Sequence, residues 1–241
     1  MAKTTAQKVR SNDQKDFARV FDSLASSYSR WSAWTDFITL SAICISNAVD
    51  KEQFEDREKT FKQIMSKYRM AERERFAELL ALVVDGMENN PDQDYLGELY
   101  MAMELGNQQA GQFFTPYYVC RAMAQITLHD GIEEQVDRRG YITVNDCACG
   151  AGATLIAAAN ELKRMGINYQ TQALFVAQDV DQVVAMMCYI QLSLLGCAGY
   201  VIVGNSLSSP GLQPGNSVWY TPMYCCHPGW KFRRAMEKLK A

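Results

Sequence analysis

The first 105 residues place apolar and polar side chains with the period of an α-helix. Val20, Leu24 and Tyr28 lie at helical spacing, and aromatic residues continue that spacing to Phe37. Further helices are predicted over residues 51–68, 71–86 and 95–105, with a turn over 87–94 where asparagine, aspartate and proline are concentrated. Both charge signs alternate at helical steps within 51–68, which indicates a solvated outer face. We therefore predict a helical N-terminal domain over residues 1–108.

The pattern changes after Gly111. Short β-rich runs over 141–146, 173–179 and 200–203 alternate with apolar helical runs over 154–165 and 181–195. Strands that alternate with helices indicate a parallel sheet. Residues 218–224 are a candidate fourth strand. The second part of the chain, residues 109–241, is therefore predicted to be an α/β domain.

The composition is that of an ordinary soluble protein, with 48% hydrophobic and 21% charged residues. No apolar run reaches about 18 residues, and the chain starts with a polar stretch that lacks the apolar core of a secretory signal. We expect a cytoplasmic protein without a membrane segment. The eight cysteines include no paired C-x-x-C and there are two histidines, so we expect no metal site and reduced, mostly buried thiols.

The net charge of −3 excludes a protein that holds DNA by overall charge alone. Any DNA contact would need a local basic patch or a partner. The most basic stretch contains Lys231, Arg233, Arg234, Lys238 and Lys240. We expect it to be a solvated helix face rather than a clamp for phosphate.

Candidate chemistry lies where the predicted strands end. The first strand ends in Asp146, and the glycine turn Gly150-Ala-Gly152 leads from it into a helix; the second strand ends in Asp179. Glycines allow a ligand to approach the backbone, the helix start presents free N–H groups, and a carboxylate can accept hydrogen bonds from ribose hydroxyls. The residues predict a site for a nucleoside-containing cofactor, either NAD or S-adenosylmethionine (SAM). The alternative is that the acids only cap helices.

Four motifs, in order, carry a resemblance to a known family. They are Gly111-Gln-Phe-Phe-Thr-Pro116 with Val119, Asp146-Cys-Ala-Cys-Gly-Ala-Gly152, Gln178-Asp179, and Gly204-Asn-Ser-Leu207. Their sequence and spacing resemble those of the N-6 adenine DNA methylases, as in the modification subunits of type I restriction-modification systems. The resemblance covers residues 94–207 and favours SAM over NAD. It implies a Rossmann-like SAM-dependent methyltransferase domain that transfers methyl to adenine N6 in DNA.

The resemblance also implies a role for each matching residue. Phe113, Thr115 and Pro116 would line the SAM pocket. The methionine end would be held around Asp146, Cys149, Gly150 and Gly152, the ribose by Asp179, and the adenine by Asn205. Cys149 is expected to be a packed small residue rather than a nucleophile, because the family transfers methyl directly from SAM to the base.

Three departures from the family pattern concern the cofactor motifs. Cys147 stands for the usual Pro, Ala151 for Ser, and Asn205 for Asp. The first two are expected to be tolerated. At the third, the amide oxygen can still accept a hydrogen bond but without charge, so we expect weaker cofactor binding.

The catalytic motif N-P-P-F/Y, which receives a flipped adenine in this family, is not found. The closest run is Tyr220-Thr-Pro-Met-Tyr224, and Tyr220, Pro222 and Tyr224 are the candidate catalytic residues. A sheet of this class has about seven strands, so the domain is predicted to be abbreviated, with an open edge. A partner subunit, a self-dimer or the N-terminal helices would close that edge. The alternative functions are a catalytically inactive SAM- or DNA-binding accessory protein that acts through a partner, and methylation of a target other than DNA.

Overall fold

A computed structural model of the protein describes residues 12–105, 114–128 and 131–238. Within these ranges, seven helices precede the first strand: α1 (Asn12–Ala25), α2 (Arg30–Val49), α3 (Phe54–Met65), α4 (Met70–Asn89), α5 (Tyr95–Ala102), α6 (Tyr117–Thr127) and α7 (Ile132–Arg139). The elements that follow are β1 (Ile142–Asp146), α8 (Ala153–Arg164), α9 (Tyr169–Gln172), β2 (Ala173–Asp179), α10 (Gln182–Leu194), β3 (Ala198–Val203), β4 (Ser217–Tyr220), α11 (Pro222–Cys226) and α12 (Pro228–Lys238). The α/β fold with a helical N-terminal region is confirmed.

The helical spacing that runs from Val20 to Phe37 spans two helices, α1 and α2. The chain breaks between them because Ser29 caps α2: its backbone is extended, and its hydroxyl accepts a hydrogen bond from the Ser32 amide at 3.1 Å. The aromatic side chains still meet across the break, since the rings of Phe17 and Trp34 pack edge to face with centroids 6.0 Å apart. Phe17, Trp34 and Phe37 are therefore buried in a core, whereas Trp31 is 44% exposed.

The sheet has four described strands in the order β1-β2-β3-β4. The first three are parallel, as predicted, with Asp146 opposite Ala177 and Asp179 opposite Val203. The fourth is antiparallel to β3, with Tyr220 opposite Tyr200. The predicted strand over 218–224 therefore ends at Tyr220, and the rest of it belongs to α11.

The two faces of the sheet pack against different helices. Successive strand residues point to opposite faces. Phe175 and Val201 lie on one face, fully buried in the main apolar core, which also contains much of α8 and α10. Leu174, Tyr200 and Trp230 belong to a smaller cluster on the other face, where α11 and α12 pack. The main core continues into α1, α2, α4 and α5, so the helices and the sheet share one apolar interior.

The basic C-terminal helix was expected to present a solvated face, and for its two described arginines this is wrong. The guanidinium of Arg233 lies 4.5 Å from the ring centre of Trp230 and donates to the carbonyl of Thr171 at 2.9 Å. That of Arg234 lies 4.8 Å from the ring centre of Tyr224. Cation–π contacts and backbone acceptors hold these charges against the sheet. The side chains of residues 238 and 240 lie outside the described residues.

The outer face of α3 is solvated, as predicted, but Arg57 is buried. Its guanidinium pairs with Asp50 at 2.8 Å, donates to the Val218 carbonyl of β4 at 3.0 Å and lies 3.9 Å from the ring centre of Trp219. One side chain thereby joins the N-terminal helices to the outer strand of the sheet. The predicted boundary between two domains, at residues 108 and 109, lies outside the described residues and stays a prediction.

Among the described helices, none combines the length and the apolar character that a membrane span requires.

Candidate cofactor site

The carboxyl ends of β1 and β2 bring the two predicted acidic residues to the same edge of the sheet. The strands are neighbours and parallel, and Asp146 and Asp179 are their last residues. The Gly150 amide donates to Asp179 Oδ2 at 2.8 Å, and the Gly204 amide donates to the Asp179 carbonyl at 2.9 Å. Asp179 therefore contacts the glycine turn after β1 and the start of the loop after β3. The structure brings together the residues that the sequence predicted to converge.

The glycine turn requires its glycines. Gly150 and Gly152 both adopt left-handed backbone conformations, with φ of +51° and +98°. A Cβ at Gly152 would lie 2.8 Å from the Cys188 sulfur of α10, and one at Gly150 would lie 3.3 Å from the ring of Phe114. The turn is therefore pressed between α10 and the aromatic ring of Phe114. The absence of side chains at Gly150 and Gly152 is what allows Phe114 and Cys188 to pack this closely on the turn.

Both carboxylates also make local hydrogen bonds. Asp146 accepts from the Ala148 amide at 3.0 Å and from the Thr154 hydroxyl of α8. Asp179 accepts from the Asp181 amide at 2.9 Å through Oδ1, in addition to its bond with the glycine turn. An ionised carboxylate offers about four lone-pair positions, so each retains acceptor capacity for hydroxyl or ammonium donors. These free acceptor positions fit a ligand that carries hydroxyl and ammonium donors, such as a nucleoside with an amino-acid tail.

Asn205 lies at this edge but its carbonyl oxygen is already engaged. Oδ1 accepts from the amides of Leu207 at 2.9 Å and Ser208 at 3.3 Å, which closes a turn, and the residue is exposed. The expectation that this oxygen accepts a hydrogen bond from adenine therefore conflicts with the local geometry. The amide NH₂ is the group that Asn205 can offer to a ligand.

Gln178 belongs to one of the four motifs, but no role was predicted for it from the sequence. Its side chain is buried and bridges the loop after β3: Nε2 donates to the Ser209 carbonyl at 2.9 Å, and Oε1 accepts from the Gly211 amide at 2.9 Å. It thereby shapes the loop that carries Asn205. A long polar side chain inside an otherwise apolar strand was the available signal.

The segment before α6 is described only in part. Phe113 lies outside the described residues. Thr115 and Pro116 are exposed, and Pro116 caps α6. The neighbouring Phe114 stacks on Tyr100 of α5, with ring centres 5.3 Å apart, and packs on Gly150. Among the described residues of this segment, Phe114 therefore contacts the glycine turn.

Cys149 is buried in the turn, and its amide donates to the Gln178 carbonyl at 3.0 Å. A hydrogen bond between its thiol and that of Cys188, together with burial, raises the pKa of Cys188 well above the ordinary value. Cys149 is a packed small residue, as expected from the sequence.

The model of the N-6 DNA Methylase family matches residues 92–227, which is more than half of the chain. The protein belongs to the N-6 DNA methylase family. The match contains all the described candidate residues at the carboxyl edge. No curated protein and no solved structure matches the chain.

The predicted catalytic residues of this member of the family lie away from the carboxyl ends of the parallel strands. Because β4 is antiparallel, Tyr220 at its end is opposite Tyr200 near the start of β3, whereas Asp179 is opposite Val203 at the end of β3. Tyr200 and Val203 are three residues apart on β3, so the two positions are about 10 Å apart along this strand, at roughly 3.3 Å per residue.

The side chains around this run are engaged in packing. The rings of Tyr220 and Tyr224 stack with centres 5.9 Å apart, and Pro222 is the first residue of α11. The structure does not bring Tyr220, Pro222 and Tyr224 together with the carboxylates of the cofactor site. No group of three or more potential metal-ligating side chains converges anywhere in the described ranges.

Proposed function

We propose that the protein binds SAM at the carboxyl edge of its sheet and transfers the methyl group to N6 of adenine in DNA. The observation that carries the proposal is the convergence of Asp146, Asp179 and a left-handed glycine turn at the ends of two neighbouring parallel strands. Membership of the N-6 DNA methylase family supports both the cofactor and the substrate. Ligands of open α/β sheets bind at this edge.

Each group at the site has a proposed partner on the cofactor. Asp179 binds the ribose hydroxyls, Asp146 and the turn from Gly150 to Gly152 hold the methionine end, and Asn205 lies at the adenine. Phe113, Thr115 and Pro116 line the pocket from the segment before α6. SAM supplies the methyl group, and the chain supplies carboxylate acceptors for the ribose hydroxyls and for the amino group of the methionine end.

Calorimetric titration of SAM tests the binding half of the proposal. Asp179→Ala removes both the ribose acceptor and the bond to the Gly150 amide, so we expect binding to fall below detection. Asp137→Ala removes an exposed carboxylate on α7 and is the matched control, with affinity unchanged. If the unmodified protein shows no heat of binding, the proposed cofactor is wrong.

Methyl transfer is tested with radiolabelled SAM and DNA that contains adenine, with RNA and protein as competing acceptors. Label is expected in DNA, and in N6-methyladenine after hydrolysis of that DNA. Fully N6-methylated DNA of the same sequence is the matched negative substrate. Label in RNA or protein instead would assign a different target to the same cofactor site.

A second candidate function is a SAM- or DNA-binding accessory protein without catalysis. Tyr220, Pro222 and Tyr224 lie away from the carboxyl ends of the parallel strands, where the cofactor site is, and this position favours the second candidate. SAM binding without transfer to any acceptor, by the protein alone, would support this candidate. Transfer by the purified protein alone would exclude it.

The proposal includes a partner that covers β1, the outer strand on one side of the sheet. Among the described strands, β1 pairs with β2 alone, whereas the outer strand at the other end, β4, is contacted by Arg57 from the N-terminal helices. An open edge is a surface for association. A specificity subunit or a second copy would fit there and would add DNA contacts that a chain of net charge −3 lacks.

Sedimentation tests self-association: a monomer at high concentration would exclude the second copy. The eight cysteines are free thiols, which is consistent with the cytoplasm as the proposed location.

A further inference from the structure

We propose that Gln191, on α10, is a positioning residue that holds the glycine turn of the cofactor site and ties it to the start of α5. This inference rests on the proposed function, because it assigns a support to the same site. Gln191 is fully buried and lies outside the four motifs that carry the family resemblance.

The hydrogen-bonding groups of the Gln191 side chain are all used. Nε2 donates to the Ala151 carbonyl at 2.9 Å and to Asp94 Oδ1 at 2.8 Å, while Oε1 accepts from the Leu96 amide at 3.1 Å. These four residues are at most 3% exposed. Buried amide groups with several partners fix the distance between the elements that they join.

Ala151 is the central residue of the glycine turn. On the side of the turn that precedes it, the Gly150 amide is held by Asp179. On the other side, Gly152 packs against Cys188, which lies one turn before Gln191 on α10. From α10, the turn is therefore restrained by the hydrogen bond that Gln191 donates to the Ala151 carbonyl and by the packing of Cys188 against Gly152.

The second end of the link is the N-terminus of α5. Asp94 caps this helix by accepting from the Gly97 amide at 3.0 Å, and the same oxygen accepts from Gln191. A Cβ at Gly97 would lie 1.9 Å from the Asp94 carboxylate, so only glycine at that position leaves room for the cap. α5 in turn carries Tyr100, whose ring supports Phe114 over the glycine turn. The turn is thus supported directly by α10, through Gln191 and Cys188, and indirectly by α5, through Tyr100 and Phe114.

The test compares Gln191→Met with Tyr189→Phe. Gln191→Met keeps a side chain of similar length and removes all three bonds. Tyr189→Phe is the matched control, since it removes a buried hydroxyl that donates to the Tyr220 carbonyl at 3.3 Å from the same helix without contact to the turn. Calorimetric titration gives the SAM affinity, and hydrogen exchange by mass spectrometry gives the protection of residues 147–155 and 198–203 without ligand.

We expect Gln191→Met to weaken SAM binding about tenfold or more and to speed exchange of residues 147–155, with 198–203 unchanged. Tyr189→Phe is expected to match the unmodified protein in both readouts. A folded Gln191→Met protein with unmodified affinity and unmodified exchange would overturn the inference. If Gln191→Met does not fold, Gln191→Leu is read in the same way, because it removes the same three hydrogen bonds without adding a charge beside Asp94.

The exchange readout separates this inference from the proposed function. If the unmodified protein does not bind SAM, the proposed cofactor fails. Faster exchange of residues 147–155 in the Gln191 variant would still support the positioning role, and unchanged exchange would refute it.

Discussion

Asp94 offers a direct measurement of how much the buried network costs in stability. Burial, partly offset by hydrogen bonds from Gln191 and the Gly97 amide, raises the pKa of Asp94 from its ordinary 3.8 to about 6. The nearby Glu98 on the same helix also raises it. The titratable groups that face Asp94 from neighbouring helices are the thiols of Cys120 on α6 and Cys188 on α10. Both thiols have raised pKa values.

The direction of the pH effect follows from the raised pKa. A carboxyl with a higher pKa in the folded state favours folding while it is protonated, so its contribution is complete below about pH 4 and is lost as the pH rises through about 6. A shift of about two pKa units corresponds to roughly 3 kcal/mol. Asp94→Asn removes the charge and keeps an acceptor for the helix cap. Relative to the unmodified protein, the variant should therefore gain about 3 kcal/mol in unfolding free energy between pH 4 and pH 7.

Urea unfolding followed by circular dichroism at half-unit steps of pH measures this difference. Asp181→Asn is the matched control, because Asp181 also caps a helix by accepting from backbone amides but lies outside the buried network. The difference between Asp94→Asn and the unmodified protein should grow as the pH rises from about 4 and should level off above about pH 6. A difference that stays constant from pH 4 to pH 8 would refute the assignment of a buried, charged Asp94 as the cause.

Three further perturbations have defined outcomes. Asn205→Asp supplies a second acceptor oxygen beside the one that closes the local turn, so calorimetry should show several-fold tighter SAM binding; equal or weaker binding would remove Asn205 from the adenine site. Gly152→Ala places a Cβ 2.8 Å from the Cys188 sulfur at φ +98°, and thermal unfolding should show a loss of about 2 kcal/mol or more, with SAM binding lost; an unchanged melting temperature would contradict the described turn. Arg57→Met leaves the buried Asp50 carboxylate without its cation, which should cost about 3–5 kcal/mol in urea unfolding; a loss under 1 kcal/mol would show that the pair is solvated.

Local sequence pattern predicted the parallel core of the sheet well. The bounds of β2 are those predicted, because its apolar run is bordered by polar residues and ends in an acid. The convergence of Asp146 and Asp179 also followed from sequence, since the carboxyl ends of adjacent parallel strands share one edge. These features depend on a few residues at a time, which a pattern can capture.

Features that depend on distant parts of the chain were not predicted. The direction of β4 decides on which edge Tyr220 lies, and a four-residue strand carries no sign of its direction. The three partners of Gln191 lie 40, 95 and 97 residues earlier in the chain, so no local spacing indicates them. The ring of Phe114 contacts the glycine turn while it stacks on Tyr100 of α5, and no local spacing indicates that contact.

The contact between Arg57 and β4 has a consequence for how the protein is made. The side chain and the Val218 carbonyl that it binds are separated by 161 residues. At typical synthesis rates, roughly 8 to 30 seconds pass between the appearance of the arginine and that of its strand. During this time the apolar surface that receives Trp219 is uncovered in the growing chain. Exposed apolar surface is prone to aggregation, so the synthesis of β4 ends a period in which the N-terminal helices lack this cover.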